Sequence, residues 1–240
     1  MDMPVARRSS DASFAPAASA RGASRRSSES LTEKAYRQIE ELIVTLQIPP
    51  GTVVSEASLS ERLEIGRTPI REALQRLARE RLVVVLPRRG IMVSEINVRT
   101  QLRLLEVRRE LERLIARSAA RRAGADQRRQ FRAIAEAMAA AARGNDDITF
   151  MRSDRELNLL ELEAARNEFA TGAMTLMHGL SRRFWYIHYR EVADLPLAAR
   201  LHASLALAIA AGEAEEAAAA SDRLLDYIEA FTRATVTADA

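Results

Sequence analysis

Residues 98–237 contain no strand-like run. Apolar positions there form wide stripes at helical spacing, and the stretch is rich in Ala, Leu, Arg and Glu. Breaks fall near Gly124, Gly144-Asn145, Arg166-Asn167, Leu195-Pro196 and Gly212. Breaks so placed divide the stretch into about six helices of ordinary length. Helices with wide apolar stripes and short connections pack against one another, so residues 98–237 read as a compact all-α bundle. Within it the run AEEAAAAS, Ala214 to Ser221, is a small-residue packing face.

The preceding segment follows a different pattern. Residues 1–30 are Ser, Ala and Arg with few large apolar side chains, a composition that cannot offset the entropy of ordering. This tail is expected to be disordered; Arg7, Arg8, Arg21, Arg25 and Arg26 either touch DNA phosphates or only solvate it. From Leu31, Ala35, Ile39, Leu42, Ile43 and Leu46 recur at helical spacing until Pro49-Pro50-Gly51 ends the helix. Val53-Val54 is a short extended segment, and Ser55 caps a second helix carrying Leu59 and Leu63. A third helix runs to about Arg81. The β-branched run Leu82 to Leu86 and the segment Ile91 to Val93 flank the turn Pro87-Arg88-Arg89-Gly90, which predicts a hairpin.

Composition narrows the functional classes. The chain lacks cysteine, which excludes a disulfide framework and a thiolate metal site or nucleophile and suits the cytoplasm. No apolar run approaches a membrane span, and no apolar region follows Arg7-Arg8 as in a signal peptide. Thirty-six basic residues against 33 acidic leave a net charge of only +3, so the position of the charge matters more than its total.

One helix concentrates that charge. In GRTPIREALQRL, Gly66 to Leu77, the set Ile70, Ala73, Leu74 and Leu77 forms an apolar arc. Arg67, Arg71 and Gln75 form a neighbouring stripe, one turn apart. The DNA major groove admits a helix, arginine pairs bidentately with guanine, and glutamine with adenine. Pro69 costs little in a first turn, where its missing N–H has no intrahelical partner. Helix, short helix, basic helix and a hairpin tipped by Arg88, Arg89 and Gly90 make a winged helix-turn-helix over residues 31–95. The fold expected is therefore mostly α: a winged helix-turn-helix followed by an all-helical domain.

The segment SEASLSERLEIGRTPIREALQRLARERLVVVLPRRGIMV resembles the DNA-binding domain of GntR-type bacterial transcription regulators. Pro50-Gly51, Glu56, Leu59, Arg67-Thr68-Pro69, Arg71, Glu72-Ala73-Leu74, Leu77, Pro87, Gly90 and Val93 carry the match. The resemblance implies that Arg67, Thr68 and Arg71 contact DNA and that Gly90 sits at the wing tip. Two positions depart from the pattern: Gly66 replaces the usual Ser before Arg-Thr-Pro, and Glu64 replaces a Gly.

Residues 98–237 resemble the FCD-type helical effector domain of the FadR-like regulators. VRRELE, SDRELNLLELEAARNE and LHASLALAIAAGEAEEA carry this second match. Many members of that group hold a divalent metal through one Asp and three His. Here Asp154 and His202 fill two of those positions, Asn158 stands at the first His, and Leu224 stands at the third, 22 residues after His202. The expectation is no metal cofactor, with a weak divalent site at Asp154 and His202 as the alternative. For His202 alone, a hydrogen-bonded core histidine weighs nearly as much. Arg108 is expected to face an effector pocket, its anion being either Glu112 or an effector carboxylate. Arg108, Asp154, Asn158 and His202 are the candidate effector residues. The aromatic run FWYIHY, Phe184 to Tyr189, reads as core or dimer interface ahead of pocket lining.

These expectations combine into a cytoplasmic, homodimeric regulator, acting as a repressor on a pseudo-palindromic double-stranded DNA operator and answering to a small organic acid. The rivals are a long-chain acyl-CoA sensor, which needs a large apolar tunnel; an architectural DNA binder with a filled helical core; and a helical metal-dependent enzyme.

Overall fold

The structure is a computed structural model that describes residues 29–238. The basic tail positions Arg7, Arg8, Arg21, Arg25 and Arg26 lie outside the described residues.

The first unit opens with α1 (Leu31–Val44), whose N-cap Ser30 accepts the Glu33 N–H at 3.1 Å. Periodicity carried Leu46 into this helix, but the chain leaves it earlier. Leu46 has φ 60°, and the Ile48 N–H closes onto the Leu42 carbonyl at 2.9 Å. Ile48 precedes Pro49, and a residue before proline is driven out of the helical region. Next come β1 (Val53–Val54), α2 (Glu56–Leu63) and α3 (Arg67–Arg79). Ser55 caps α2 in a reciprocal box with Ser58. Strands β2 (Val83–Leu86) and β3 (Gly90–Val93) form the expected antiparallel hairpin, Val84 opposite Met92. The sheet also has a third member, because β1 pairs with the other edge of β3 in the order β1-β3-β2.

Ile70, Ala73, Leu74 and Leu77 of α3 are at most 1% exposed and pack against Ala35, Ile39 and Ile43 of α1 and Leu59 of α2. The apolar arc read from the sequence is therefore the face that anchors α3, and the basic stripe is left outward.

The second unit comprises α4 (Val98–Arg122), α5 (Ala125–Gly144), α6 (Asp147–Ala165), α7 (Glu168–Val192), α8 (Leu195–Ala211) and α9 (Ala214–Ala238). Side chains of Asn97, Asp146, Asn167 and Asp194 cap the N-termini of α4, α6, α7 and α8. The core is rich in small residues; Ala119, Ala120, Ala198, Ala199, Ala206 and Ala217 are all 1% exposed or less. Such residues let the helices approach closely, and Ala217 and Ala220 bear out the packing-face reading of the Ala-rich run.

Helix α7 joins the two units. Gly179 lies so close to Leu82 that a Cβ there would fall 2.5 Å from Leu82 Cδ1. Leu180 packs on the winged core, and Arg182 reaches Glu40 of α1 at 2.9 Å. Arg183, 1% exposed, donates to the Ser94 carbonyl at 2.9 Å, Ser94 Oγ at 3.0 Å and the Glu95 carbonyl at 3.3 Å.

Candidate nucleic-acid interface and effector cavity

The outward stripe of α3 carries Arg67, Thr68, Arg71 and Gln75, all exposed. Gly66 caps the helix without a side-chain hydrogen bond, so the first-turn N–H groups of Arg67 and Thr68 face outward with the positive end of the helix dipole. Arg71 is not free. Its Nε and Nη2 donate to the two carboxylate oxygens of Glu56 at 2.9 and 2.8 Å. Each partner holds the other in its charged form: Glu56 raises the pKa of Arg71, and Arg71 lowers that of Glu56, chiefly through these hydrogen bonds. The pair does not hide the guanidinium, whose side chain is 59% exposed. Glu56 therefore holds Arg71 in one orientation on the open surface. An exposed ion pair of this kind is weak and screened by salt, so a guanine edge or phosphate can replace it.

Arg88 and Arg89 are exposed at the β2–β3 turn, where Arg88 takes φ 63°. Gly90 stands where the turn rejoins the sheet, not at the outermost point. Its φ is +101°, and a Cβ would come within 3.0 Å of the Val54 carbonyl oxygen. The third strand is what requires glycine here. Glu64 occupies the usual Gly position with φ 53°, a left-handed C-cap of α2.

A cavity of about 250 Å³ opens between α4, α6, α7, α8 and α9 and extends to α1 and α3. Arg108, Asp154, Asn158 and His202, named from the sequence, all line it. Arg108 donates to Glu112 at 2.6 Å, both side chains nearly buried, so the anion of this arginine is supplied by the chain. Asp154 Oδ1 lies 3.1 Å from His202 Nε2 and 3.0 Å from Asn158 Nδ2, and His202 Nδ1 donates to the Ala198 carbonyl at 2.7 Å. Burial pushes the His202 imidazole down, but the hydrogen bond and charge of Asp154 outweigh it and leave its pKa raised. Burial likewise pushes Asp154 up, and His202 overrides it to hold the carboxyl below its ordinary value. The two form a buried ion pair. His178, on the same cavity, is brought down to about 4 by burial and then by the charge of Arg108, so it is neutral.

These groups do not fit a transition metal. Asn158 is a poor ligand, Leu224 contributes only hydrocarbon to the cavity wall, and Asp154 and His202 are engaged with each other at 3.1 Å. Among the described residues, no three His, Asp or Glu side chains are placed to hold an ion.

The sequence reading missed several lining residues, among them Glu161, His178 and Arg182. Glu161 follows Asp154 by seven positions and Asn158 by three, so the helical wheel already placed it on their face. Phe184, 2% exposed, is core as expected, and it and Trp185 also line the cavity, the reading placed second for FWYIHY. Trp185 packs on Phe231 with ring centroids 4.7 Å apart and on Phe150 at 5.9 Å. At the winged end, Arg76 of α3 lies 3.5 Å over the Tyr36 ring and donates to Glu80 and Glu33, while the Tyr36 hydroxyl donates to Glu80 at 2.8 Å.

Residues 31–93 match the bacterial regulatory proteins of the gntR family, and residues 103–227 match the FCD domain. The chain is similar to the HTH-type transcriptional repressor RspR of Escherichia coli K12, 34% identical over 90 residues, which are 38% of this chain and 40% of that protein. It is also 39% identical over 62 residues, 26% of each chain, to an uncharacterized HTH-type transcriptional regulator in an unstable DNA locus of Streptomyces ambofaciens. These alignments thus span well under half the relatives' length. Among solved structures, E. coli McbR/YncC superposes with a TM-score of 0.72 at 19% identity, covering 87% of this chain and all of that one, which establishes a shared fold.

Proposed function

The chain belongs to the FCD-domain regulators of the bacterial gntR family, and we propose that it is a cytoplasmic, homodimeric repressor whose operator binding is set by a small molecule in the cavity. It is a transcription regulator rather than an enzyme. The observation that carries the proposal is the composition of the cavity wall. It joins Asp154 and His202 of the helical domain to Tyr36 of α1 and Arg76 of α3, the helix that carries the basic stripe. A ligand that changes the wall acts directly on the seating of α3.

Two recognition helices about one turn of DNA apart, some 34 Å, would read a pseudo-palindrome. Large apolar side chains left exposed on α4, α6 and α7, among them Val107, Leu114, Leu159, Phe169 and Leu176, support self-association. Repression is supported by the relative RspR, a transcriptional repressor. The cavity is below the usual range of about 300–1,000 Å³ for ligand pockets and is lined by ion pairs, which argues against a long acyl chain. Its existence argues against a purely architectural role. The organic-acid expectation left the anion of Arg108 open between Glu112 and an effector carboxylate; Glu112 takes that place at 2.6 Å, so an acid would have to displace it.

A mobility-shift titration on the intergenic DNA upstream of the gene tests the proposal. Arg67→Ala and Arg71→Ala should each weaken specific binding by roughly tenfold or more and make its affinity less dependent on salt. If both bind that DNA as wild type does, α3 is not the reading element.

A further inference from the structure

Glu161 is a charged cavity group whose hydrogen bonding is incomplete. It projects from α6 into the cavity, is 8% exposed, and its Oε1 is buried without a hydrogen-bond partner. The charged groups around it are already paired. Arg108 and Glu112 of α4 hold each other at 2.6 Å. Asp154 of α6 holds His202 of α8 at 3.1 Å, and Arg182 of α7 holds Glu40 of α1 at 2.9 Å. His178 of α7 is neutral. Arg76 of α3 holds Glu33 of α1 at 2.9 Å, and the remaining lining cation, Arg155, is exposed, so Glu161 is the lining carboxyl that no ion pair engages.

A buried carboxyl with an orphan oxygen is costly, and either a proton or a cation must neutralise it. Burial, then the charges of Glu112 and Asp154, push Glu161 well above the usual carboxylate range, which favours a proton on it when no cation is beside it. A ligand anion entering here meets three carboxyl groups and finds the Arg108 guanidinium engaged.

Resting on the reading of this cavity as the effector site, we infer that the effector carries an ammonium group, a primary or secondary amine that donates an N–H to Glu161 Oε1. On binding, the Glu161 carboxyl gives up its proton to solvent and pairs with the ammonium, so the buried carboxylate gains a counter-charge beside it. A second buried polar group bears on the rest of the ligand. The Trp185 Nε1–H is also buried without a partner on this cavity wall, and it calls for an acceptor oxygen. An amine bearing a hydroxyl or carbonyl oxygen satisfies both.

Trp185 is the chain's only tryptophan, so its fluorescence reports cavity occupancy. The experiment titrates the full chain with n-hexylamine, 6-amino-1-hexanol, hexanol and hexanoate at pH 7, beside the near-isosteric Glu161→Gln, whose folding is checked by circular dichroism. The two amines should change Trp185 emission saturably, bind Glu161→Gln at least tenfold more weakly, and release up to one proton per site in calorimetry across buffers of different ionisation enthalpy. Hexanoate or hexanol binding as tightly as the amines, or amine binding unchanged in Glu161→Gln, would overturn the amine class while leaving an effector cavity. No response to any of the four overturns the amine class and removes the support for the cavity as an effector site; operator binding is measured separately.

Discussion

Replacing Arg183 with Met should loosen the joint between the helical domain and the winged domain. Arg183 is buried, and its three acceptors all belong to the connecting segment: the Ser94 carbonyl, Ser94 Oγ and the Glu95 carbonyl, at 2.9, 3.0 and 3.3 Å. Burial brings the guanidinium down to about 10, so it remains charged at neutral pH. Hydrogen bonds from a charged donor contribute about 1.5–3 kcal/mol each, less for the longest one. Against them stands Arg183 Nε, buried without a partner, which costs about 1–3 kcal/mol. The net loss in Arg183→Met, which keeps most of the side chain's volume, is therefore about 2–3 kcal/mol. For a chain of this size that lowers the melting temperature by roughly 5–10 °C. The loss falls on the joint, so calorimetry should resolve two transitions, the winged domain melting first. Wild-type melting in one transition at an unchanged temperature would refute the reasoning, because Leu180 packing and the Arg182–Glu40 pair would then suffice to hold the domains together.

Two further outcomes follow from the geometry. Asp154→Asn removes the counter-charge of His202. The raised imidazole contributes stability fully below its ordinary 6.5 and loses it as pH rises through the folded value, while the lowered carboxyl contributes above 3.8 and loses it as pH falls. The wild-type advantage over Asp154→Asn should therefore be largest between pH 3.8 and 6.5, about 2 kcal/mol by urea unfolding, and shrink as pH rises above 6.5 through the raised folded value. Gly90→Ala puts a Cβ 3.0 Å from the Val54 carbonyl at φ +101°, and should cost about 1–3 kcal/mol in thermal unfolding while weakening operator binding through the displaced wing.

The parts legible in the sequence are those whose causes lie within a few residues. Ile70, Ala73, Leu74 and Leu77 announced the anchored face of α3 because helical spacing alone puts them together. Ser55 and the breaks at Gly124, Asn145, Arg166 and Gly212 were equally visible, since caps and left-handed residues act on their own helix ends. The grouping of Arg108, Asp154, Asn158 and His202 also followed from the sequence, though only through resemblance to a family; no spacing along the chain brings them together. Tertiary structure alone decided the partners of the charges. Arg71 meets Glu56 across 15 positions, Arg183 meets Ser94 across 89, and Arg182 meets Glu40 across 142. Two residues were enough for β1 only because β3 offered an open edge. Whether Glu161 lies in solvent, in a pair, or alone in a cavity depends on how α4, α7 and α8 dock around α6. Local periodicity tells which face of a helix is buried. The surroundings of a buried charge are set by the angles at which separate helices meet, and those emerge only when the whole core packs at once.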